Sequence, residues 1–231
     1  MNDTRFEIRN RVLLSLRRAA QEFLEPRLVT RQTFAGEVIY QDGTAFTHAV
    51  FPHSGVLSLM AHMNDGRSVE KTSIGSEGFL GFVLIMGGSR AISTSTVQVP
   101  GYASWVALSD LHEALDEFEC VRQTMLRYGA ALIAQLMETV ACNQLHSAEQ
   151  RVARWLLQAQ DRVAGNSFQL TQQILSDVLG LRRATVSDVC SQFQQAGILD
   201  YSRGAITVAD REGLEQRACE CYARIHRAWA Y

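Results

Sequence analysis

The chain has little proline, almost no lysine, no long run of apolar residues and no paired set of cysteines. Of its 231 residues three are proline, and Lys71 is the single lysine among 22 basic residues. The first apolar run, Val12-Leu13-Leu14, is followed by Arg17-Arg18 and is too short for a secretory signal or a membrane helix. Five scattered cysteines without such a signal are typical of a reducing compartment. We therefore expect a cytoplasmic protein without a membrane partner.

An excess of one charge is also missing. The formal net charge is −2, with 47% hydrophobic and 20% charged residues, which is ordinary globular composition. From Arg151 onward there are 10 Arg and 8 acidic residues, a balance of +2, and the remaining 12 basic and 16 acidic residues give −4. The length suits two domains. The mild asymmetry permits a polyanionic partner at the C-terminal part but does not indicate one.

Short apolar segments alternate with turn residues from about residue 28 to about residue 110. A short amphipathic helical segment over residues 1–25, ended by Pro26, precedes them. Strand-length segments separated by glycine-containing turns recur roughly every 8–12 residues, a spacing that predicts a sandwich or barrel, with a jelly roll as the natural candidate. Examples of these segments are 37–40, 49–51, 56–60 and 68–74.

A helical period replaces this pattern from about residue 111 to about residue 145. Apolar residues at spacings of three and four predict the seam of a self-paired coiled coil. The seam comprises Phe118, Val121, Met125, Tyr128, Leu132, Leu136 and Val140. We expect a second stripe, which includes Leu126 and Ile133, to cover the roll. A single amphipathic helix packed on its own domain is the alternative, but two stripes on so long a helix favour two partners.

A helix-turn-helix pattern lies between residues 170 and 206. Thr171 can cap a first helix, and Gly180 can end it with a positive φ. Apolar stripes follow on the first helix at Ile174, Leu175, Val178 and Leu179, and on the second at Val186, Val189 and Phe193. An αα-hairpin of any helical protein would show the same spacing. The two short strands that follow, with Gly204 in the turn and Arg203 at its tip, instead indicate a winged helix-turn-helix.

Polar side chains near the start of the second helix and at the wing tip are the candidate DNA contacts. They are Arg182, Arg183, Thr185, Ser187, Asp188 and Arg203. The N-terminal part of a recognition helix enters the major groove, where Arg can bond both acceptors of guanine. We assign that role to Arg183, phosphate contacts to Thr185 and Arg203, and either role to Arg182.

The order of jelly roll, long helix and winged helix-turn-helix resembles the Crp/Fnr family of bacterial transcription regulators over nearly the whole chain. The matching segments are GEVIY (36–40) with Gly43, FPHSGVLSL (51–59), GSEGFLG (75–81), EQRVARWLL (149–157) and residues 170–206. The resemblance implies an α+β fold in two domains. Residues 1–145 would form a sensor domain, with a β jelly roll at about 28–110 and a long dimerisation helix at about 111–145. Residues 146–231 would form the winged helix-turn-helix domain.

The same resemblance implies a function and its partners. The protein would be a homodimer that binds an inverted-repeat operator in double-stranded DNA, controlled by a signal that the roll senses. RNA polymerase would be a further partner, and no enzymatic activity is expected. Family members often carry Arg-Glu at the base-reading positions, whereas Ala184 replaces the Glu here, and Asp188 stands where a further base-reading Arg can occur. We therefore expect a different operator sequence.

The resemblance also locates an effector pocket. Its residues are Gly81, Phe82, Arg90, Ala91, Leu136 and Met137. Members that bind cyclic AMP carry Gly-Glu-Leu and Arg-Ser or Arg-Thr at positions that read Gly81-Phe82-Val83 and Arg90-Ala91 here, and Leu136-Met137 replaces the polar pair that meets the adenine. A buried phosphate needs several charge-assisted hydrogen bonds of about 1.5–3 kcal/mol each. We therefore expect either an unknown, less polar small-molecule effector or a filled pocket, and not cyclic AMP.

The cysteines and histidines predict neither a metal nor a cofactor. An iron–sulfur cluster usually demands four thiolates, and the N-terminal cysteine group of the oxygen-sensing members is missing. Cys219 and Cys221 lie two positions apart in a predicted closing helix over 214–229, where their thiols would point about 200° apart. His48 and His53, five apart, fall on opposite faces of a strand. The alternative function is a jelly-roll small-molecule binder or metalloenzyme whose helical C-terminal domain makes protein contacts.

Overall fold

Two antiparallel β-sheets share one apolar core in the N-terminal half of the computed structural model, which describes residues 8–229. The first sheet has the strand order β1-β7-β3 and the second β2-β6-β4-β5. Alternating side chains from both sheets fill the space between them, as a jelly roll requires. The strands are β1 (Val29–Thr33), β2 (Val38–Tyr40), β3 (His48–Pro52), β4 (Val56–His62), β5 (Ser68–Ile74), β6 (Thr94–Val99) and β7 (Gly101–Ala107).

The predicted jelly roll is confirmed, and its four strand segments coincide with β2, β3, β4 and β5. Two short helices precede the roll, α1 (Arg11–Leu14) and α2 (Arg18–Leu24), and a 3₁₀ turn (Glu25–Arg27) contains Pro26. Of the amphipathic segment expected over 1–25, residues 1–7 lie outside the described residues. A second 3₁₀ helix (Phe82–Met86) crosses the mouth of the roll.

The long helix is interrupted near its start. Helix α3 (Leu108–Glu117) and helix α4 (Glu119–Leu145) are separated by Phe118, whose φ of −120° and ψ of 99° are extended. The Phe118 ring packs against Phe23, with centroids 5.3 Å apart. The prediction of one helix over 111–145 is therefore corrected to two helices, and a half-buried contact with Phe23 stabilises the extended conformation of Phe118.

Helix α4 buries the stripe that the sequence assigned to the dimer seam. Val121, Met125, Tyr128 and Leu132 are at most 2% exposed, and Phe118 and Leu136 pack against the same core of the roll. The exposed stripe instead consists of Leu126, Ile133, Met137 and Val140, which are 46–69% exposed. Burial against the roll therefore contradicts the predicted seam at Val121, Met125, Tyr128 and Leu132. Phe118 and Leu136 are half-buried, and Val140 stays a prediction.

The sequence could not identify the buried stripe, because both stripes of α4 have the same helical period and the spacing alone does not tell which one faces the roll. Tertiary contacts fix the rotation of the helix. Gln135 lies between the stripes and donates hydrogen bonds to Thr72 Oγ1 at 2.6 Å and to the Ser73 carbonyl at 2.9 Å, both on β5. These buried bonds hold one face of α4 against the roll.

The C-terminal part is a helical domain with a small three-stranded sheet. Its helices are α5 (Ala148–Gln160), α6 (Gln172–Leu179), α7 (Arg183–Gln195), α8 (Arg211–Arg217) and α9 (Cys221–Ala228). The sheet has the order β8-β10-β9, with β8 (Ser167–Gln169), β9 (Leu199–Ser202) and β10 (Ala205–Val208). The predicted wing strands are confirmed, and β8 is an addition. No helix within residues 8–229 combines the length and the apolar character needed to cross a bilayer.

The closing helix predicted over 214–229 is two helices with a bend between them. Helix α8 ends at Arg217, and α9 begins only at Cys221. Ala218 is extended, with φ −78° and ψ 157°, so the chain changes direction there. Cys219 and Cys221 therefore do not occupy positions of one helix, and the expectation that their thiols diverge is wrong.

Candidate nucleic-acid interface

The turn between α6 and α7 is fixed by local hydrogen bonds. Thr171 caps α6, since its side chain accepts from the Ile174 backbone N–H at 3.2 Å. Gly180 ends the helix in the left-handed region with φ +60°. Ser176 then donates from Oγ to the Leu181 carbonyl at 2.8 Å, while its own carbonyl accepts from Leu181 N at 3.1 Å. These contacts set the point at which α7 can begin.

Burial of one face on each helix orients the opposite face outward. The buried residues are Leu175, Val178 and Leu179 on α6, and Val186, Val189 and Phe193 on α7, together with Trp155 and Leu156 of α5. These are the stripes that the sequence predicted. Because they join one core, the side chains between them on α7 face solvent.

The outward side chains at the start of α7 and at the wing tip are named here the reading surface: Arg182, Arg183, Thr185, Ser187, Asp188 and Arg203. Arg182 and Arg183 are exposed, and no residue in the range 8–229 forms a hydrogen bond or ion pair with either guanidinium. Asp188 is exposed one turn later, and Thr185 and Ser187 are half-buried. Two positive charges thus stand where the first backbone N–H groups of α7 also favour an anion.

The wing presents a third arginine. Arg203 and Gly204 both have positive φ, +50° and +77°, and form the two-residue turn between β9 and β10. Such turns match the twist of paired strands and place the first central residue at the tip. The Gly204 carbonyl accepts from Leu170 N at 2.9 Å, so the tip lies beside the start of α6. Arg203 is exposed, with no partner among the described residues.

The cavity of the roll is almost filled. Gly81, Phe82 and Ala91 line a cavity of about 10 Å³, together with other apolar side chains of the roll. Such a volume has room for about one water molecule. Phe82 lines this cavity and is only 9% exposed. An apolar ring thus stands at the position where the resemblance to members that bind cyclic AMP implies a Glu.

The other three residues of the predicted pocket lie elsewhere, and this part of the prediction is corrected. Arg90 is exposed and donates to the Gly43 carbonyl at 2.8 Å. Leu136 packs at the edge of the roll's core, and Met137 is 69% exposed on α4. A guanidinium without a buried anion turns towards solvent, where a carbonyl and water satisfy it.

A buried ion pair that the sequence did not reveal connects the roll to the C-terminal domain. Arg162, just after α5, donates to Glu77 Oε1 at 2.7 Å and to Ser73 Oγ at 2.7 Å. The two charged side chains are only 2% and 4% exposed. The Arg162 guanidinium also lies over the Trp229 ring, 4.7 Å from its centroid. Glu77 belongs to the GSEGFLG segment (75–81) that carries part of the resemblance, and nothing in that pattern marks its carboxylate as the partner of Arg162.

Strand β5 contributes further contacts across the same boundary. Trp155 Nε1 donates to Glu70 at 3.2 Å, and Ser58 also donates to this carboxylate. Burial raises the pKa of Glu70, and these two hydrogen bonds partly offset the rise. A Cβ placed on Gly180 would lie 3.3 Å from Val69 Cγ2, so the helix-turn-helix turn touches the roll directly. We call the set Glu70, Ser73, Glu77, Trp155 and Arg162 the interdomain joint.

An open groove of about 880 Å³ runs between the roll and the C-terminal domain. His53 lines it from the roll, and Phe168 lines it from β8. His53 Nδ1 accepts from Arg9 N and Asn10 N, both at 3.2 Å, and Nε2 lies 2.7 Å from Ser104 Oγ. Burial lowers the pKa of His53 to about 4, so the ring is neutral near pH 7.

Comparisons with known proteins agree with this architecture. Residues 150–217 match the family model described as the Crp-like helix-turn-helix domain. FixK2 from Bradyrhizobium japonicum is 19% identical with a TM-score of 0.70, over 83% of this chain and 98% of that one. TTHB099, a transcriptional regulator of the CRP family from Thermus thermophilus, is 18% identical with a TM-score of 0.66, over 81% and 96%.

A third solved structure has the same fold, and no curated protein matches the chain. It is CLP from Xanthomonas campestris, described as a c-di-GMP-responsive global regulator, at 13% identity and a TM-score of 0.64, over 83% of this chain and 99% of that one. The resemblance to the Crp/Fnr family is thus confirmed in fold over most of the chain, and in sequence over the helix-turn-helix domain.

Proposed function

We propose that this chain is a DNA-binding transcription regulator of the Crp/Fnr type. The observation that carries the proposal is the set of three exposed arginines without partners among the described residues, Arg182, Arg183 and Arg203, on the outer face of a Crp-like helix-turn-helix. In a protein without a polyanionic partner, charges placed together in this way would only repel one another. The duplex would supply both phosphates and guanine edges to them.

The roles within the reading surface follow from position. α7 lies in the major groove with its first turn towards the bases. Arg183 bonds the two acceptors of a guanine, and Arg182 and Arg203 contact phosphates on either side. Thr185 adds a phosphate contact. Asp188, one turn further along α7, accepts from a base amino group and excludes bases that lack one.

A second copy of the chain completes the binding unit. Leu126, Ile133, Met137 and Val140 lie on one exposed line of α4, spaced by seven, four and three residues. Ala130 fills the remaining position between the first two. This is the heptad spacing of a two-stranded coiled coil. To bind an inverted repeat, such a dimer would have to present its two α7 helices about 34 Å apart, one turn of DNA.

The volume of the cavity in the roll limits which signal could regulate DNA binding. A cavity of about 10 Å³ has no room for a nucleotide, which supports the proposal that the effector is not cyclic AMP. The interdomain joint offers another route, because β5 contacts the helix-turn-helix directly. A signal that moves β5 therefore changes the setting of α7 without a ligand inside the roll.

The experiment that tests the function is a selection of bound sequences from a random DNA pool by the purified protein. Arg183→Ala should then weaken binding to the selected site by about 1–3 kcal/mol, roughly 5- to 150-fold, and relax its sequence preference. Arg17→Ala, which removes an exposed arginine of the roll domain, is the matched control and should bind normally. Equal loss on selected and random DNA would contradict the base-reading role of Arg183.

The second candidate function is small-molecule binding with protein contacts in place of DNA, and the open groove of about 880 Å³ favours it. Retention on heparin and on duplex DNA separates the two. A regulator loses DNA affinity steeply as salt rises, because bound counterions are released. A small-molecule binder would show no preference among DNA sequences at any salt concentration.

A further inference from the structure

Three cysteines and one histidine converge where the long helix meets the end of the C-terminal domain. Cys142 and His146 lie at the C-terminal end of α4, Cys219 lies in the bend between α8 and α9, and Cys221 is the first residue of α9. Their four possible ligand atoms are all within 4.8 Å of one another. Cys142 Sγ lies 3.5 Å from Cys219 Sγ, and Cys221 Sγ lies 3.6 Å from His146 Nδ1.

The backbone explains the convergence. Cys142 lies in the last turn of α4, and His146 is the extended residue that follows the helix and donates from its backbone N to the Cys142 carbonyl at 3.1 Å, which keeps the two close. The chain bends after Arg217, which brings Cys219 and Cys221 to the same side although they are only two residues apart. All three cysteines are at most 4% exposed and form a small core of their own, separate from the two larger cores.

These spacings fit one tetrahedral ion. Zinc bonds of about 2.3 Å to sulfur and about 2.0–2.1 Å to nitrogen place neighbouring sulfurs about 3.8 Å apart, and sulfur and nitrogen about 3.6 Å apart. The Cys142–Cys219 and Cys221–His146 contacts, 3.5 and 3.6 Å, agree with those values within a few tenths of an ångström, and every other pair of ligand atoms lies within 4.8 Å. An iron–sulfur core contains several atoms and would have to spread its ligands further apart.

The surroundings also suit a metal. His146 Nε2, the ring nitrogen away from the cysteines, lies 3.3 Å from Glu220 Oε2. Histidine ligands commonly donate their other ring N–H to a carboxylate in this way, which fixes the tautomer. The guanidinium groups of Arg151 and Arg154 are close enough to Cys142 to interact with its charge. The Nε atoms of both arginines are buried without an acceptor among the described residues.

We propose that Cys142, His146, Cys219 and Cys221 form a zinc site that ties the last helix of the C-terminal domain to the long helix. Each thiol releases its proton on binding, so the ion is held by three thiolates and a neutral imidazole. The site then carries a net charge of −1, which Arg151 and Arg154 offset. Three cysteines and one histidine with no open position are typical of structural rather than catalytic zinc.

The proposal does not depend on DNA binding, and it is tested on the full chain purified under reducing, anaerobic conditions. Elemental analysis should find about one zinc ion per chain after dialysis against a weak chelator. Co²⁺ added to the metal-free protein should give the intense absorption of tetrahedral cobalt thiolate. Cys219→Ser and Cys221→Ser should lose both signals, while Cys190→Ser, a buried cysteine of α7 outside the cluster, should keep them.

A second measurement guards against variants that fail to fold. In the unaltered chain, zinc should protect three of the five thiols from alkylation, and removal of zinc should expose Cys142, Cys219 and Cys221 to the reagent. The proposal is overturned if the folded chain takes up neither zinc nor cobalt and its thiols alkylate equally with and without zinc. Iron with acid-labile sulfide in the anaerobic protein, or a Cys142–Cys219 disulfide as its purified state, would also overturn it.

Discussion

The reading surface and the interdomain joint both depend on arginine, and they use it in opposite ways. Arg183 and Arg203 are exposed and contact no described residue, whereas Arg162 is 2% exposed and fully engaged by Glu77 and Ser73. Removing one partner of a buried ion pair leaves the other charge in a poorly solvated environment, which lowers the free energy of unfolding by about 3–5 kcal/mol. Removing an exposed arginine costs folding almost nothing and is detected only when a ligand is present. The same side chain therefore serves stability at one place and recognition at the other.

The largest expected difference between the two regions is in stability, and a substitution in the interdomain joint tests it. Arg162→Ala should lower the free energy of unfolding by about 3–5 kcal/mol, because the buried Glu77 carboxylate loses the guanidinium that donates to it at 2.7 Å. Urea denaturation followed by tryptophan fluorescence measures the change. Arg183→Ala should stay within about 0.5 kcal/mol of the unaltered chain. If both variants were equally stable, the joint would not provide the stability assigned to it.

In the proposed dimer, DNA binding by the reading surface requires a second copy of the chain, whereas the interdomain joint lies within one copy. Met137→Glu places two like charges close together in the proposed coiled coil and removes an apolar contact worth about 2–3 kcal/mol when buried. Analytical ultracentrifugation should show a shift from dimer to monomer, with unchanged monomer stability. Met63→Glu, the same change in the exposed β4–β5 turn, is the control. A dimer that persists in Met137→Glu would exclude this face of α4 as the interface.

Titration of His53 tests whether the stability of the boundary between the roll and the C-terminal domain depends on pH. His53 lies two residues before Gly55, whose backbone N donates a hydrogen bond to the Arg162 carbonyl at 2.8 Å. His53 is therefore close to a contact between the roll and the C-terminal domain. Burial lowers the pKa of the folded His53 to about 4 from the ordinary 6.5, so the unfolded chain binds a proton that the folded chain does not.

Stability should therefore be complete above pH 6.5 and fall as the pH drops towards 4, with a slope from this group of up to about 1.4 kcal/mol per pH unit. Denaturation curves at a series of pH values measure that slope. His53→Gln should reduce it, and His48→Gln should leave it unchanged. An identical slope in all three proteins would assign the acid sensitivity to other groups.

The smallest effect expected lies at the wing tip. Arg203→Ala removes one phosphate contact, so binding should weaken by about 1 kcal/mol on every DNA sequence, and the salt slope should decrease by about one. Fluorescence anisotropy at several salt concentrations measures both. This result would contrast with the sequence-dependent loss in Arg183→Ala. A change in sequence preference in Arg203→Ala would instead place the wing against base edges.

Local chemistry made the helix-turn-helix predictable. Thr171, Gly180 and Gly204 each act through their own backbone neighbours, and the apolar stripes of α6 and α7 pack on each other. The roll strands were predictable for the same reason, because alternation and turn glycines are short-range signals. Here sequence and structure agree nearly residue for residue.

Features that depend on distant contacts were not predictable. Arg162 and Glu77 are 85 residues apart, and nothing in either neighbourhood marks them as partners. The choice between the two stripes of α4 depended on where Gln135 could reach Thr72 and Ser73. The convergence of the cysteines required a helix break at Ala218 that no proline or glycine marks. In each case the deciding interaction joins segments that are remote in the chain.

Strand β5 has an unusual set of neighbours. Thr72 receives a hydrogen bond from α4, Glu70 receives one from α5, and Val69 abuts the loop that leads into α7. Close-packed interiors have low compressibility and transmit strain. A displacement of this strand by even a fraction of an ångström would therefore reach the exposed face of α4 and the turn that leads into the reading surface at the same time.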